Sequence, residues 1–384
     1  MAHQNIFFQT AQQKIPGHVF EKYEFCDETR RYCRKLSNRS QLWFWLFCHL
    51  DQVKSLREGV TRLSSVGNRL YHVGIRDPIK LSTLSEANSK RNPELFKNLF
   101  FDLLSRSQKK FKRKFSVPIA LLDSTAITSR EPKMKWAKYN KQCYGVKVHV
   151  KLDMANDVPL DVTITNGNVS DLKVARDMDY EPGSILVVDR AYSDTLWWRK
   201  LNENGVKFIT RLKRGYDFNV IEDRYIDRSA EENILSDKVI QLMGNKSSQY
   251  GDRLRLVTAF DPIEGRTFDF ITNYFDVPAS MIANLYRQRW RIELFFKWIK
   301  QRLKIKKLLA LSHNGILTQI WTAMIAYLIL WQLYHEQGHR EKMTLLEYSR
   351  QFAMRLFLPI QPREKKKKPP DLQLTLNWEV RTEH

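Results

Sequence analysis

The sequence has few cysteines, and no targeting signal is predicted at its start. Both features argue against a secreted, disulfide-bonded protein. Its four cysteines, Cys26, Cys33, Cys48 and Cys143, have no CxxC spacing, which argues against a zinc ribbon or a disulfide framework. Reduced thiols in a cytosol are therefore expected. The first residues, MAHQNIFFQTAQQK, lack an apolar core behind a basic start, so no secretory signal is predicted.

Long uninterrupted apolar runs are also missing. The two most apolar stretches are 42–50 (LWFWLFCHL) and 316–333 (ILTQIWTAMIAYLILWQL). The first is far shorter than the roughly 20 residues that a membrane span needs, and polar residues interrupt the first half of the second. We therefore predict two buried helices, the second covering the back of a sheet, and no membrane partner.

Acidic residues are few relative to basic ones. The chain has 42 Asp and Glu against 64 Lys and Arg, which gives a net charge of +22 and a pI near 9.8. Such an excess attracts polyanions, and nucleic acid fits better than an anionic membrane. Cations cluster at 109–114 (KKFKRK) and 365–368 (KKKK), each of them either a phosphate contact or a solvated charge run.

One stretch, 281–303, has the periodicity of a single amphipathic helix, and Asp276 is predicted as its N-cap. At about 100° per residue, four polar side chains share one narrow face beside the apolar stripe: Tyr286, Arg289, Glu293 and Lys300. The simple interpretation is a solvated face with charge pairs. The spacing Y-x2-R-x3-E-x6-K is what favours a functional one.

Two aspartates lie in or after predicted buried strands. The segment 118–127 (PIALLDSTAI) carries Asp123, and the segment 184–192 (SILVVDRAY) carries Asp189 after its aliphatic run. A charge in such a place is costly unless it is paired or coordinates a metal, although an aspartate at a strand end can instead cap a turn.

Together these segments resemble the catalytic blocks of the DDE transposases of the insertion sequence 4 family. The segments DSTAI (123–127) and DRAYSD (189–194) resemble the first two blocks, and Y-x2-R-x3-E-x6-K resembles the last. The three occur in the correct order. The resemblance implies that Asp123, Asp189 and Glu293 are the catalytic and metal-binding residues. Mg²⁺ or Mn²⁺ is the expected cofactor, because carboxylate oxygens suit hard divalent ions.

The resemblance also implies roles for the other polar residues of the helix. Tyr286, Arg289 and Lys300 would hold the DNA backbone near the cut, which suits a cationic face beside a metal site. Lys147 and His149, on a predicted neighbouring strand, either assist or are ordinary sheet residues.

The order of elements matches a ribonuclease H-like catalytic domain, an α/β fold with a mixed five-stranded sheet flanked by helices. Strands are predicted at 118–127, 143–152, 158–165, 184–192 and 206–213, and helices at 171–178 and 193–204. The predicted organisation is a helical N-terminal domain (1–105) expected to bind DNA, the catalytic domain (115–214 and 274–345), a β-rich insertion (215–273) and a C-terminal segment with a basic tail (346–384).

The insertion contains no tryptophan, although some members of the family that it resembles use one there to stack an extruded base. A hairpin intermediate at the transposon end is therefore an open question. Tyr216 and Tyr250 are the alternative stacking residues.

The implied function is that of a DNA transposase. It would cleave the ends of an insertion sequence and join the 3′-hydroxyl ends to target DNA with two metal ions, as a homodimer on double-stranded terminal repeats. The expected location is the bacterial cytoplasm, in association with the nucleoid. Two alternatives remain: a transposase-derived protein that binds DNA without cutting it, and a zinc peptidase suggested by HEQGH at 335–339, which satisfies HExxH but offers no third ligand.

Overall fold

The computed structural model describes residues 6–25, 36–67, 70, 74–75, 77–110, 117–229, 231–244, 247–303, 308–336 and 343–359. The extreme N-terminal residues, Cys26, Cys33, most of the basic run at 109–114, the end of the HEQGH motif and the tail at 365–368 lie outside the described residues or side chains. The helices are α1 (Phe7–Gln13), α2 (Gly17–Phe25), α3 (Asn38–Leu50), α4 (Leu56–Ser65), α5 (Leu81–Lys90), α6 (Glu94–Lys110), α7 (Asp171–Asp177), α8 (Thr195–Glu203), α9 (Ala279–Arg287), α10 (Trp290–Arg302), α11 (His313–Glu336) and α12 (Leu345–Met354).

The described strands form one mixed sheet. They are β1 (Ile119–Ser129), β2 (Tyr144–Asp153), β3 (Val158–Asn166), β4 (Ile185–Val188), β5 (Lys207–Arg211), β6 (Phe218–Asp223), β7 (Ile234–Leu242), β8 (Leu254–Asp261) and β9 (Arg266–Thr272). Their order across the sheet is β3-β2-β1-β4-β5-β9-β8-β7-β6. The first five strands thus form close to their predicted positions, as one part of a larger sheet.

The register places the two aspartates. β1 runs antiparallel to β2, with Asp123 opposite Val150, and parallel to β4, where the last pair is Leu122 with Val188. Because parallel neighbours run in the same direction, the residues that follow this last pair lie side by side where the two strands separate. Asp123 continues β1, and Asp189 begins the loop after β4.

The insertion continues the same sheet. β9 pairs antiparallel with β5 through Ile209 and Thr272, and β8, β7 and β6 follow in turn. β6 lies at the far edge, with most of its side chains exposed. The segment 215–273 thus contains four strands and is hydrogen-bonded to the strand that precedes it.

Both faces of the sheet are covered. Leu121 of β1 joins a large core cluster with α10 and α11, whereas the next residue, Leu122, joins a second cluster with α7 and α8. Successive strand residues point to opposite faces, so a strand covered on both sides reads as a continuous aliphatic run. The N-terminal helices belong to the first cluster, and α3, α5 and α6 pack against α11.

Helix α11 is long and apolar enough to cross a membrane by length and composition, but 89% of its most apolar window is buried inside the protein. It packs between the N-terminal helices and the sheet. Its Tyr327 hydroxyl and Trp331 indole donate hydrogen bonds to the carbonyls of Asp157 and Asn156 in the β2–β3 turn. The predicted core helix is observed.

The single helix predicted over 281–303 is wrong in one respect, because the structure divides it into α9 and α10. Between them the amide of Arg289 donates to the carbonyl of Tyr286 at 2.9 Å, and the amide of Ile292 to that of Arg289 at 3.1 Å, the tighter i to i−3 pattern. The predicted N-cap is also wrong: Pro278, rather than Asp276, occupies that position, and the amide of Ser280 in the first turn donates instead to Glu231 Oε1 at 2.7 Å.

Candidate active site

Three acidic side chains come from separate elements. Asp123 lies in β1 just beyond its pairing with β4, Asp189 follows β4, and Glu293 lies in the first turn of α10. α10 packs on the face of β1 that carries Leu121 and, two residues later, Asp123. The fold therefore directs a helix carboxylate towards a strand carboxylate.

Arg289 links the acids. Its guanidinium lies 2.6 Å from Glu293 Oε1 and 4.0 Å from Asp123 Oδ2, and its Nε atom is buried without a hydrogen-bond partner among the described residues. The position at the α9–α10 junction, where the chain tightens, brings this side chain between the strand acid and the helix acid.

Asp189 has two neighbours of its own. The hydroxyl of Tyr286 donates to Asp189 Oδ1 at 3.3 Å, and Arg211 Nη2 lies 4.0 Å from the same oxygen. The guanidinium of Arg211 also lies over the rings of Tyr286 and Phe268, at 5.9 Å and 5.3 Å from their centroids. Burial raises the pKa of Tyr286, so this phenol remains a donor.

Sequence analysis did not identify Arg211. Its signal is positional, because β5 is the parallel neighbour of β4 and Arg211 is the last residue of β5. A side chain at that end lies at the same sheet edge as Asp189.

Asp123 has an unusual electrostatic environment. Burial, followed by the like charges of Asp189 and Glu293, raises its pKa to about 6, against the opposing effects of the Ser124 amide and of Arg289.

A second polar cluster lies behind Asp123. The amide of Ser124 donates to Asp123 Oδ1 at 2.8 Å, and the Ser124 hydroxyl donates to Asp171 Oδ1 at 2.7 Å. Lys147 Nζ donates to the same Asp171 oxygen at 3.1 Å, and His149 Nδ1 lies 3.5 Å from it. Lys147 and His149 thus face Asp171 rather than the three acids.

Tyr192 lies near both the acids and the second polar cluster. Its hydroxyl is buried and has no hydrogen-bond partner among the described residues. Burial, with the charges of Asp123, Asp171 and Asp189, raises its pKa well above the usual range. Neither Tyr192 nor Asp171 was identified from the sequence, since each is recognisable only by its neighbours in the folded chain.

The donor set fits a hard divalent cation, since carboxylate oxygens are the ligands that such ions prefer and a guanidinium already lies among them. Within the described ranges, however, no three His, Cys, Asp or Glu side chains stand close enough to share one ion. A cation would compete with Arg289 for the same oxygens.

The remaining predicted residues have different surroundings. Lys300 is half-buried on the Glu293 side of α10, about 10 Å further along the helix axis. Tyr250 is 2% exposed with its edge near the Phe208 ring, so its candidacy for base stacking is wrong. Tyr216 stacks one ring face on Trp198. In the HEQGH motif, His335 packs on Trp331 and Glu336 pairs with Lys14, and the second histidine of the motif lies outside the described residues.

Two strand-end aspartates and a helix glutamate, with arginines and a phenol beside them, are suited to binding cations and phosphates. Residues 115–329 match the family described as transposase DDE domain, and residues 3–76 match a domain of unknown function. The chain is 33% identical to a putative transposase, y4zB, of Sinorhizobium fredii over 249 residues, covering 64% of this chain and 69% of the relative.

Two further relatives are insertion-sequence transposases. The probable transposase of IS5377 from Geobacillus stearothermophilus is 28% identical, covering 84% of this chain and 83% of the relative. The putative transposase of IS4SA from Synechocystis sp. is 30% identical, with coverages of 74% and 79%. A piggyBac transposase synaptic complex with hairpin DNA has a TM-score of 0.48 at 9% identity, covering 92% of this chain and 80% of that one.

The chain belongs to the DDE transposase family, within its insertion sequence 4-like members. It is a DNA transposase, an enzyme that binds and cleaves DNA. Members of the family generally depend on divalent metal ions.

Proposed function

We propose that Asp123, Asp189 and Glu293 together hold Mg²⁺ or Mn²⁺, and that the enzyme cuts the ends of an insertion sequence and joins their 3′-hydroxyls to target DNA. The observation that carries the proposal is the position of Arg289, which reaches both Asp123 and Glu293. Divalent ions bound there would lower the pKa of the attacking water or 3′-hydroxyl and stabilise the leaving oxygen.

In this proposal the hydrogen-bond donors around the acids contact the substrate backbone. Tyr286, Arg289 and Lys300 are the residues that we assign to phosphate contacts, and Arg211 joins them because it lies 4.0 Å from Asp189. The Arg289 side chain has two tasks in this scheme. It compensates the acids in the free protein and is available to a phosphate once a cation takes its place.

The finer architecture is part of the proposal. We assign β1–β5 to a ribonuclease H-like catalytic core, 215–273 to an insertion and 1–105 to a DNA-binding N-terminal region. The strand order 3-2-1-4-5 of the first five strands supports the first assignment. We also propose a homodimer on double-stranded terminal repeats and a location beside the bacterial nucleoid.

A strand-cleavage assay tests the proposal. The substrate is the terminal repeat read from the DNA that flanks the gene, with Mg²⁺ or Mn²⁺ added. Asp189→Asn keeps the size of the side chain and removes its charge, so we expect cleavage to fall by about 10³-fold or more because metal binding is lost. DNA affinity should change little.

The matched control is Asp223→Asn, which changes an exposed aspartate in β6. Full activity of the control beside an inactive Asp189→Asn supports the assignment. Wild-type protein that binds the repeat but never cuts it, with either ion, would identify the alternative, a DNA-binding descendant without catalysis.

A further inference from the structure

The loop 130–143, which connects β1 to β2, presents a concentration of positive charge. Glu131 is its single acidic residue. Its five cations are all exposed: Arg130, Lys133, Lys135, Lys138 and Lys141. In the part of the chain that the structure describes, none of these five forms an ion pair. Their charge is therefore available to an external anion.

The loop is held in place by its other residues. Met134 and Ala137 are fully buried, and the indole of Trp136 meets the ring of His313 edge-on at 4.6 Å. The Ala137 carbonyl accepts a hydrogen bond from Gly145 at 2.7 Å, and the Lys138 carbonyl accepts one from Asn168 at 3.1 Å. The cations thus stand on a fixed platform, which lowers the entropy cost of binding.

The platform lies beyond the catalytic acids. β4 pairs with β1 only as far as Leu122, whereas β1 and β2 continue as an antiparallel arm to the pair Ser129 with Tyr144. At about 3.3 Å per residue, the arm carries the loop about 20 Å past Asp123. This distance corresponds to about six base steps of duplex DNA at 3.4 Å each.

We propose that loop 130–143 binds the phosphate backbone of duplex DNA about six base pairs away from the bond that is cut. This inference rests on the proposed function, since it takes Asp123 as part of the cutting site. Lysines on a fixed loop that contact phosphates, and not base edges, provide affinity and orientation. They do not provide sequence specificity.

The test compares two double variants of equal charge loss. Lys135→Gln/Lys138→Gln removes two cations from the loop, and Lys200→Gln/Arg253→Gln removes two exposed cations on α8 and before β8. Binding to a duplex of about 30 base pairs is followed by fluorescence anisotropy over a range of salt concentrations. Each lost phosphate contact should lower the slope of log K against log salt by about 0.9.

We expect the loop variant to bind about tenfold more weakly near 0.15 M salt, with a slope lower by about 2, and the control to match wild type. Lysine acetylation of the wild-type protein gives an independent measurement. Lys135 and Lys138 should be protected by DNA and Lys200 should not.

Two kinds of substrate distinguish whether the loop binds donor DNA or target DNA. A terminal repeat that ends at the cut is compared with one that carries about ten flanking base pairs, and a pre-cleaved end is offered an unrelated target duplex. A penalty in the loop variant confined to the flanked repeat assigns the loop to donor DNA, and one confined to target capture assigns it to target DNA. Either result supports the proposal.

Equal affinities and slopes for both variants, together with equal acetylation with and without DNA, would overturn the inference even if the wild-type enzyme cleaves. Wild-type protein that binds without cutting would instead count against the proposed function. The two failures are thus distinguishable.

Discussion

Both carboxylate oxygens of Asp123 have neighbours, and the next residue, Ser124, connects Asp123 to a second acid. One of its oxygens accepts the Ser124 amide, while the other faces Arg289 at 4.0 Å. Ser124 is in turn bound by Asp171, whose carboxylate also pairs with Lys147. The chain of contacts from Asp171 through Ser124 to Asp123 fixes which oxygen points to the centre of the site.

Substitution of Asp171 should therefore reduce cleavage without reducing DNA binding. We expect about a tenfold loss for Asp171→Ala, and a smaller one for Asp171→Asn, which still accepts from the Ser124 hydroxyl. Single-turnover cleavage at several Mg²⁺ concentrations measures the effect. A rate for Asp171→Ala equal to that of wild type would show that Ser124 needs no such support.

His49 provides a stability prediction with a defined pH range. It is buried between the Leu303 carbonyl and the Thr322 hydroxyl, and burial lowers its pKa to about 4. The unfolded chain binds this proton near pH 6.5, so the contribution to stability is complete above that pH and lost as the pH falls towards 4.

The shift corresponds to on the order of 3 kcal/mol in the free energy of unfolding. Urea denaturation between about pH 4 and 7 should show that part of the slope in wild type and not in His49→Gln. Parallel pH profiles of the two proteins would contradict the assignment.

The sequence and the resemblance predicted that the three acids and Arg289 belong to one site, because each lies in a segment with strong periodicity. The structure shows Arg289 in contact with Glu293 and 4.0 Å from Asp123. Arg211, Asp171 and Tyr192 were not identified. Their importance lies in contacts between elements that are distant in the chain, and no local pattern distinguishes them from other strand-end or helix-start residues.

α10 is fixed to the sheet by an ion pair that does not involve Glu293. Arg291 forms a bidentate ion pair with Asp157 in the β2–β3 turn, with distances of 2.7 Å and 2.5 Å. Asp157 has a φ of 56°, a conformation that aspartate and asparagine tolerate better than most residues. The pair ties the start of the Glu293 helix to the hairpin next to β1.

A double-mutant cycle should reveal this coupling. Asp157→Asn preserves the turn, and Arg291→Ala removes the partner, so the excess cost of breaking the pair is measurable. Because the pair is partly exposed, we expect a coupling energy of about 1 kcal/mol from denaturation. Strictly additive costs would mean that the packing of α10, rather than this ion pair, holds the helix.

Strands and helices were predicted more accurately than their interruptions. β1, β2 and β3 begin and end within one or two residues of their predicted bounds, because aliphatic and alternating runs mark them clearly. The break at Gln288 and Arg289 was missed, since both residues have helical dihedral angles and the apolar period continues through them. Only the tightened hydrogen bonds mark the junction.

The segment 215–273 is hydrogen-bonded to the segment that leads into α9. Arg255 of β8 is 1% exposed and pairs with Asp237 of β7 through two hydrogen bonds of 2.9 Å and 2.7 Å. It also donates to the carbonyls of Tyr274, Phe275 and Val277, in the segment that leads into α9. The path of the chain towards Tyr286 is therefore fixed by the insertion.

Removal of one partner should be costly. Asp237→Ala leaves a buried guanidinium without its counter-charge, and we expect a loss of about 3 to 5 kcal/mol in the free energy of unfolding. Asp223→Ala, at an exposed position in β6, is the control and should cost little. Equal losses for the two substitutions would show that the Arg255–Asp237 ion pair does not make this contribution to stability.

The strand order of the complete sheet was not predictable from the sequence. Short alternating strands in 215–273 indicated a β-rich insertion, but which of them would join β5 depends on pairing over long sequence separations. The last strand of the insertion, β9, is the one that pairs with β5. Local patterns carry no information on that choice.

Arg289 has a consequence for the life of the enzyme before it meets its substrate. A protein that carries its own counterion need not wait for one in order to fold, because the repulsion among its clustered negative groups is already offset. Folding should therefore not require the divalent ion that we propose for this site. In that scheme the ion binds later and reversibly, after the chain has folded.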